Sequence, residues 1–174
     1  EMDAFMAGFT DALANEVRMD EAAMMAAIQS FVAEQQAAAE AAVAGNLEAS
    51  AAFLTENGQQ DGVVTLASGL QYTVLESGDA GAASPTTTDS VLAHYHGTLT
   101  DGSVFDSSVE RGQPATFGVS QVIAGWTEAL QLMKVGDKWR LFIPPNLAYG
   151  EASPTPAIPP NSALIFDVEL LEIR

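Results

Sequence analysis

The sequence has no cysteine, few basic residues and no long apolar run. Without cysteine the chain forms no disulfide, holds no thiolate zinc site and offers no cysteine nucleophile. Only 6 Lys and Arg residues stand against 23 Asp and Glu, which gives a net charge of -17. Nucleic acid and anionic lipid are therefore not expected partners, because binding either one requires clustered Lys and Arg. No apolar stretch reaches about eighteen residues, so no membrane span is expected.

Proline is also absent from the first 57 residues, which are rich in Ala, Glu, Gln and Met. This composition is typical of long helices. It predicts a first helix over residues 3–16 and a second from Glu21 to about Glu56, with Asp20 as the N-cap and Asn57-Gly58 as the stop. We therefore expect a helical arm with a long connecting helix over residues 1–61 and a second domain over residues 62–174. The sequence starts at Glu1 rather than Met, which favours a trimmed start and export.

The predicted second helix is longer than a small domain is wide. About 35 residues of helix extend roughly 50 Å, so the helix either projects as a spacer or packs on another element. Phe5, Phe9 and Leu13 give the first helix an apolar face. Two interpretations follow: a homodimer formed through residues 1–57, or a hairpin within one chain that covers its own apolar face.

From about Gly62 onwards the pattern changes to short β-branched runs separated by Gly, Pro, Asp and Ser. These runs predict strands. They lie at Val63 to Leu66, Leu70 to Leu75, Val91 to Leu99, Lys138 to Ile143 and Ala163 to Ile173. One short helix is predicted from Gly125 to Met133, with Trp126, Leu130 and Met133 on its inner side. The fold class is therefore α+β, an antiparallel sheet wrapped on one short helix.

Five short strings in the second domain occur in a recognisable order. They are Tyr95-x-Gly97, Phe105-Asp106-Ser107-Ser108, Val122-Ile123-x-Gly125-Trp126, Ala148-Tyr149-Gly150 and Phe166-Asp167-Val168-Glu169-Leu170. Together they resemble the FKBP-type peptidyl-prolyl cis/trans isomerases. The first half, with its Ser68-Gly69-Leu70-Gln71-Tyr72 junction, resembles the Mip-like and FkpA-like bacterial subgroup, whose members carry a helical dimerisation arm.

The resemblance implies a curved sheet of five or six antiparallel strands and acceleration of X-Pro isomerisation in peptides and unfolded proteins, with chaperone activity as a dimer. It implies no metal and no cofactor. The catalytic positions carried over are Asp106, Tyr149 and Phe105. The substrate-binding positions carried over are Tyr95, Phe117, Val122, Ile123, Trp126, Ile158 and Phe166. Ala115 and Ala157 stand where relatives often have larger side chains, which predicts a wider cavity on one side.

The resemblance also has implications for ligands and location. Macrolide inhibitors of the family are expected ligands, and the location implied is the periplasm or the outer membrane, with the cytoplasm as the alternative. Isomerisation breaks no bond, so a cavity with one donor, such as the Ile158 amide or the Tyr149 hydroxyl, meets its requirements.

Several other interpretations stay open at this point. The domain could bind proline peptides as a chaperone module with little turnover, or serve a largely structural role. His94 and His96 share one strand face, a spacing that suits either a metal pair or a solvent-facing surface. The aromatic side chains of Phe105, Trp126, Tyr149 and Phe166 could be core residues alone. The proline-rich segment 153–160 could be a ligand for another module or a stiff loop beside the cavity.

Overall fold

A computed structural model describes Thr10 and residues 21–174. The long helix runs over Glu21–Asn57, as its composition predicts, and ends where Gly58 follows Asn57. Of the predicted first helix only Thr10 is described, and it is helical; the rest of that helix and the Asp20 cap lie outside the described residues. None of the helices in the described part of the chain is both long enough and apolar enough to cross a membrane.

The chain divides into two compact units, Glu1–Ala42 and Val43–Arg174. In the described part of the first unit, every side chain from residue 22 to residue 42 is exposed, including those of Met24, Ile28 and Val32. The second unit contains the last part of the long helix together with the whole sheet.

The second unit is an α+β fold, which confirms the predicted fold class. Its strands are β1 (Val64–Thr65), β2 (Gln71–Glu76), β3 (Ser90–Leu99), β4 (Val104–Ser107), β5 (Ala115–Gly118), β6 (Lys138–Ile143) and β7 (Leu164–Ile173). All pairings are antiparallel in the order β1-β2-β6-β7-β3-β4, and β5 also pairs with β3. Seven strands exceed the five or six implied by the resemblance, because β1 adds two residues at one edge and β4 and β5 share the other.

The residues of β3 alternate between the two faces of the sheet, as predicted. Val91, Ala93 and Tyr95 are buried, while the side chains between them are half-buried on the outer face. The short helix (Ala124–Leu132) lies against the buried face and covers it with Trp126 and Leu130. A Cβ added to Gly125 would lie 2.5 Å from Cγ2 of Ile143, so helix and sheet approach too closely for a larger residue.

The last part of the long helix packs on the sheet within the second unit. Phe53 contacts Phe142 of β6, with ring centroids 6.1 Å apart. The Asn57 side-chain amide donates to Oε1 of Gln71 at 2.8 Å, and the Gln71 amide donates to the Leu54 carbonyl at 2.8 Å. These contacts fix the end of the helix on β2 and β6.

Candidate active site

A cavity of about 570 Å³ lies where the start of the short helix meets β3, β4 and β7. All ten residues that the sequence assigns to the site line it, together with Gln121, Pro154 and Thr155. Apolar surface dominates the lining, and few polar groups reach it, which is the usual character of a small-molecule or peptide site.

Trp126 is the centre of the aromatic cluster under the cavity. Its ring meets those of Tyr95, Phe117 and Phe166 edge to face, at centroid distances of 5.7, 5.4 and 5.3 Å. This geometry places the positive edge of one ring against the negative face of the next and holds all four rings rigidly. The indole Nε1 of Trp126 is buried, and no described residue accepts a hydrogen bond from it. A buried donor left unpaired costs roughly 1–3 kcal/mol, and such groups are few in folded proteins.

Phe105 and Phe166 form a second edge-to-face pair, with centroids 5.3 Å apart. Gly97 lies opposite Phe166 in β7 and next to β4, on the same face as these rings. A Cβ on Gly97 would lie 2.7 Å from Cζ of Phe105 and 2.8 Å from Cε1 of Phe166. The absence of a side chain at residue 97 therefore allows both rings to reach the cavity.

The polar side of the cavity is a triangle of Tyr95, Asp106 and Arg111. The Tyr95 hydroxyl donates to Oδ2 of Asp106 at 2.5 Å. Arg111 donates from Nη1 to Oδ1 of Asp106 and from Nη2 to the Tyr95 hydroxyl, the latter at 2.6 Å. The Arg111 guanidinium also lies 5.5 Å from the centroid of the Tyr95 ring, within cation–π distance.

These contacts keep the triangle in one charge state. Partial burial opposes ionisation of Asp106, but the hydrogen bonds from Tyr95 and Arg111 together outweigh it, so the pKa of Asp106 lies below its usual range. Burial, followed by the hydrogen bond to Asp106, raises the pKa of Tyr95 above its usual value. Around neutral pH, Asp106 is therefore an ionised acceptor and Tyr95 a protonated donor, which leaves neither suited to general acid–base catalysis there.

This charge state predicts how activity depends on pH. Because the folded-state pKa of Asp106 is depressed, its stabilising contribution is present above the unfolded pKa of about 3.9 and is lost as pH falls through the lower folded value. We expect the Asp106 contribution to kcat/KM to stay constant from pH 8 to about pH 5 and to decline only below about pH 4. Measuring kcat/KM in a constant-ionic-strength buffer series checks this. A loss that is centred above pH 5 and disappears in Asp106→Asn would contradict it.

The remaining wall comes from the loop between β6 and β7. Tyr149, Pro154, Thr155 and Ile158 of this loop line the cavity. The Ile158 amide, which the sequence offers as a donor to a bound carbonyl, instead donates to the Thr155 carbonyl at 3.0 Å. Tyr149 is 38% exposed, and no described residue hydrogen-bonds its hydroxyl. In this conformation the Tyr149 hydroxyl is therefore available as a donor on the loop.

The two departures from the family pattern lie beside the cavity. Ala115 pairs with Ala93 at the start of β5 and packs against the core. Ala157 is exposed on the loop. Neither is among the described residues that line the cavity. The wider cavity expected from these two positions stays a prediction.

His94 and His96 lie on the outer face of β3, away from the cavity. Nδ1 of His94 is 3.1 Å from Oγ of Ser108, and Nδ1 of His96 is 2.9 Å from Oγ of Ser107. Within residue 10 and residues 21–174, no three His, Asp or Glu side chains are grouped so as to hold a metal ion. Through their serine partners the two rings support the turn that follows Asp106.

Four residues at the site were missed by sequence reasoning: Gln121, Pro154, Thr155 and Arg111. Gln121 precedes the Val122-Ile123 motif, and its side chain lies against Gly118. Pro154 and Thr155 belong to the proline-rich segment, whose alternative as a stiff loop fits their place in the wall. The sequence signal for Arg111 was the scarcity of basic residues. A cation five residues after Asp106 is conspicuous in a chain with only six Lys and Arg residues.

Comparisons with known proteins extend over the whole chain. The family profile described as FKBP-type peptidyl-prolyl cis-trans isomerase matches residues 81–171, and the profile of the domain amino terminal to it matches residues 1–74. The peptidyl-prolyl cis-trans isomerase Mip of Coxiella burnetii is 46% identical over 98% of this chain and 75% of its own length. The outer membrane protein MIP of Legionella longbeachae is 50% identical over 71% of this chain, which spans 52% of that protein.

A solved structure agrees with these matches. The crystal structure of FkpA from Escherichia coli superimposes with a TM-score of 0.85, covering 100% of this chain and 82% of the FkpA chain at 40% identity. At this identity the likeness extends to sequence as well as fold.

Proposed function

This chain belongs to the FKBP-type peptidyl-prolyl cis-trans isomerases, and we propose that it accelerates cis/trans exchange of X-Pro bonds bound in the cavity around Trp126. The observation that carries the proposal is the joint presence of an apolar aromatic cavity and an ionised Asp106 held at its edge. The substrates proposed are proline-containing peptides and unfolded proteins.

X-Pro isomerisation requires rotation about one bond and no bond cleavage, and the apolar lining of the cavity suits this reaction. Resonance in the peptide bond sets a barrier of roughly 18–20 kcal/mol, and X-Pro exchange takes roughly tens to hundreds of seconds without a catalyst. The twisted transition state has lost that resonance, and its carbonyl is less polar than that of the planar ground state. An apolar cavity therefore favours the transition state over the ground state. An acceleration of a thousandfold to a millionfold requires roughly 4–8 kcal/mol from the site.

Each wall has a proposed part in supplying this energy. Trp126 forms the floor on which the proline ring packs, and Phe105, Phe117 and Phe166 enclose the ring. Val122 and Ile123, at the start of the short helix, and Ile158 on the loop complete the apolar enclosure. Tyr149 donates to the bound carbonyl.

Asp106 has a positioning and electrostatic part in the proposal. Its carboxylate holds the Tyr95 hydroxyl and the Arg111 guanidinium in one geometry, so the edge of the cavity presents a fixed dipole to the twisting imide. Groups that are oriented in advance stabilise the transition state without reorganising during the reaction.

The second candidate is a proline-peptide binding or chaperone module with little turnover. The same apolar lining favours it, because an aromatic cavity binds a proline ring whether or not the bond rotates. The two candidates differ in one observable, the rate of exchange in a bound peptide.

We further propose a homodimer formed through residues 1–57, with chaperone activity arising from the arm and the cavity. The support is the match of the amino-terminal family profile to residues 1–74. Light scattering on the full chain should give twice the 18.2 kDa of one chain, and a monomer mass at micromolar concentration would contradict the dimer. The proposed location is the periplasm or the outer membrane, supported by the similarity to the outer membrane protein MIP of Legionella longbeachae. Fractionation of the source cells tests it, and recovery in the cytoplasm alone would overturn it.

Turnover on a short peptide tests the central proposal. We expect the cis-to-trans rate of a chromogenic X-Pro tetrapeptide, measured near 10 °C to slow the background exchange, to rise linearly with protein concentration. A peptide with Ala in place of Pro controls for nonspecific effects. Tight peptide binding without acceleration would favour the binding module.

A further inference from the structure

The loop that supplies one wall of the cavity is closed on itself at its base. It leaves the sheet after β6, passes through Tyr149 and Ile158 and returns at Asn161. The Asn161 N–H donates to the Gly150 carbonyl at 2.7 Å, which closes residues 150–161 of the loop on themselves. Asn161 is 6% exposed and has a φ of 56°, in the left-handed region. Between these ends, residues 151–157 are exposed.

The point of closure is held by Ser50 of the long helix. The Ser50 hydroxyl donates to the Asn161 carbonyl at 2.8 Å and accepts from the Ala163 N–H at 2.8 Å. Ser50 is 5% exposed, and Ala163 is 2% exposed. The hydroxyl therefore satisfies two backbone groups that water does not reach, which buried backbone groups require.

Two more hydrogen bonds join the two preceding turns of the helix to the same point. The Asn46 side-chain amide donates to the Pro160 carbonyl at 2.9 Å. The Asn161 side-chain amide donates back to the Val43 carbonyl at 3.3 Å. The residues from Val43 to Ser50 thus make four hydrogen bonds to the base of the loop, all within the second compact unit.

Helix formation does not explain Ser50. It stands in an alanine-rich helix, where alanine is the better helix former. A mid-helix serine commonly bonds the carbonyl four residues back or points to solvent, but this one bonds the loop instead. The geometry indicates that the Ser50 hydroxyl stabilises the loop rather than the helix.

We propose that Ser50 and Asn46 are positioning residues for the isomerase reaction, acting through the closed segment 150–161, which carries Thr155 and Ile158 and follows the donor Tyr149. The inference rests on the proposed function. The long helix fixes the base of the loop, and the position of that base determines the distance between Trp126 and the loop residues that line the cavity. A wall that contacts bound substrate equally in its planar and twisted forms contributes uniform binding, so its loss raises KM and leaves kcat nearly unchanged.

The test compares single variants of the full chain on a chromogenic X-Pro tetrapeptide. We expect Ser50→Ala and Asn46→Ala each to raise KM about fivefold while kcat stays within about twofold. Thr55→Ala is the matched control, because the Thr55 hydroxyl bonds the Ala51 carbonyl within the exposed part of the same helix. It should leave both constants at the wild-type values.

The outcomes separate this inference from the proposed function. A folded wild-type chain without turnover refutes the proposed function, and with it this inference. An active wild type with both variants within twofold of Thr55→Ala in KM overturns the inference alone. If Ser50→Ala fails to fold, Asn46→Ala decides, since Asn46 is only half-buried. A drop in kcat at constant KM would also contradict the positioning role.

Discussion

Asp106→Asn is expected to lower kcat/KM for X-Pro isomerisation roughly ten- to hundredfold, or about 1.4–2.7 kcal/mol of transition-state stabilisation. Asparagine keeps the size of the side chain but removes the negative charge to which Tyr95 and Arg111 both donate hydrogen bonds. Hydrogen bonds to charged groups contribute about 1.5–3 kcal/mol, and the exposure of Asp106 and Arg111 keeps the expected effect below the top of that range.

The same substitution should leave the fold nearly intact. A half-exposed ion pair contributes about 0–1 kcal/mol to stability, so Tm should move by no more than about 4 °C. Asp101→Asn is the matched control, because it removes the same charge from an exposed turn where Asp101 accepts the Ser103 N–H. Activity of Asp106→Asn within twofold of that control would show that Asp106 has no part in catalysis.

Gly97→Ala is expected to lower kcat/KM more than about tenfold and to destabilise the domain by about 1–3 kcal/mol. The new Cβ would lie within 2.8 Å of ring atoms of both Phe105 and Phe166, so the two rings must move apart. Both rings line the cavity, and the clash therefore reaches the binding site directly.

The predicted loss of stability in Gly97→Ala is opposite in sign to the usual effect of a Gly→Ala substitution in a strand. Replacing glycine in a strand interior by alanine ordinarily stabilises a protein by about 0.5–1 kcal/mol, so a loss reports the clash. Gly81→Ala is the control, because a Cβ there meets nothing within 4 Å. Chemical denaturation and the tetrapeptide assay measure both quantities. A Gly97→Ala protein as stable and as active as Gly81→Ala would mean that the rings do not meet over Gly97.

The sequence predicts the long strands and helices to within a residue or two. β3 and β7 alternate over most of their ten residues, and the period of two is clear in such runs. The four-residue strands β4 and β5 were not predicted. Each is too short to show a period, and each forms by pairing with β3, a contact that local sequence does not encode.

The candidate site likewise has residues that the sequence predicts and residues whose place depends on contacts distant in the chain. The ten residues carried over from the family pattern all line one cavity, although their chemical roles remain predictions. Arg111 was missed because its contact with Tyr95 depends on the chain reversal after Ser108, where the Gly112 N–H meets the Val109 carbonyl. Ser50 was missed because its partners lie 111 and 113 residues further along the chain.

The measurement that tests the central claim most directly is tetrapeptide isomerisation titrated with an FKBP-binding macrolide. If catalysis takes place in the cavity around Trp126, the accelerated rate should fall to the uncatalysed rate as the macrolide occupies the cavity, and Trp126 fluorescence should change over the same concentrations. Trp139, the second tryptophan, stacks on Tyr72 on another part of the sheet, and Trp139→Phe isolates the Trp126 signal. Acceleration that persists while fluorescence reports a filled cavity would contradict the account, as would a folded chain that gives no acceleration at all.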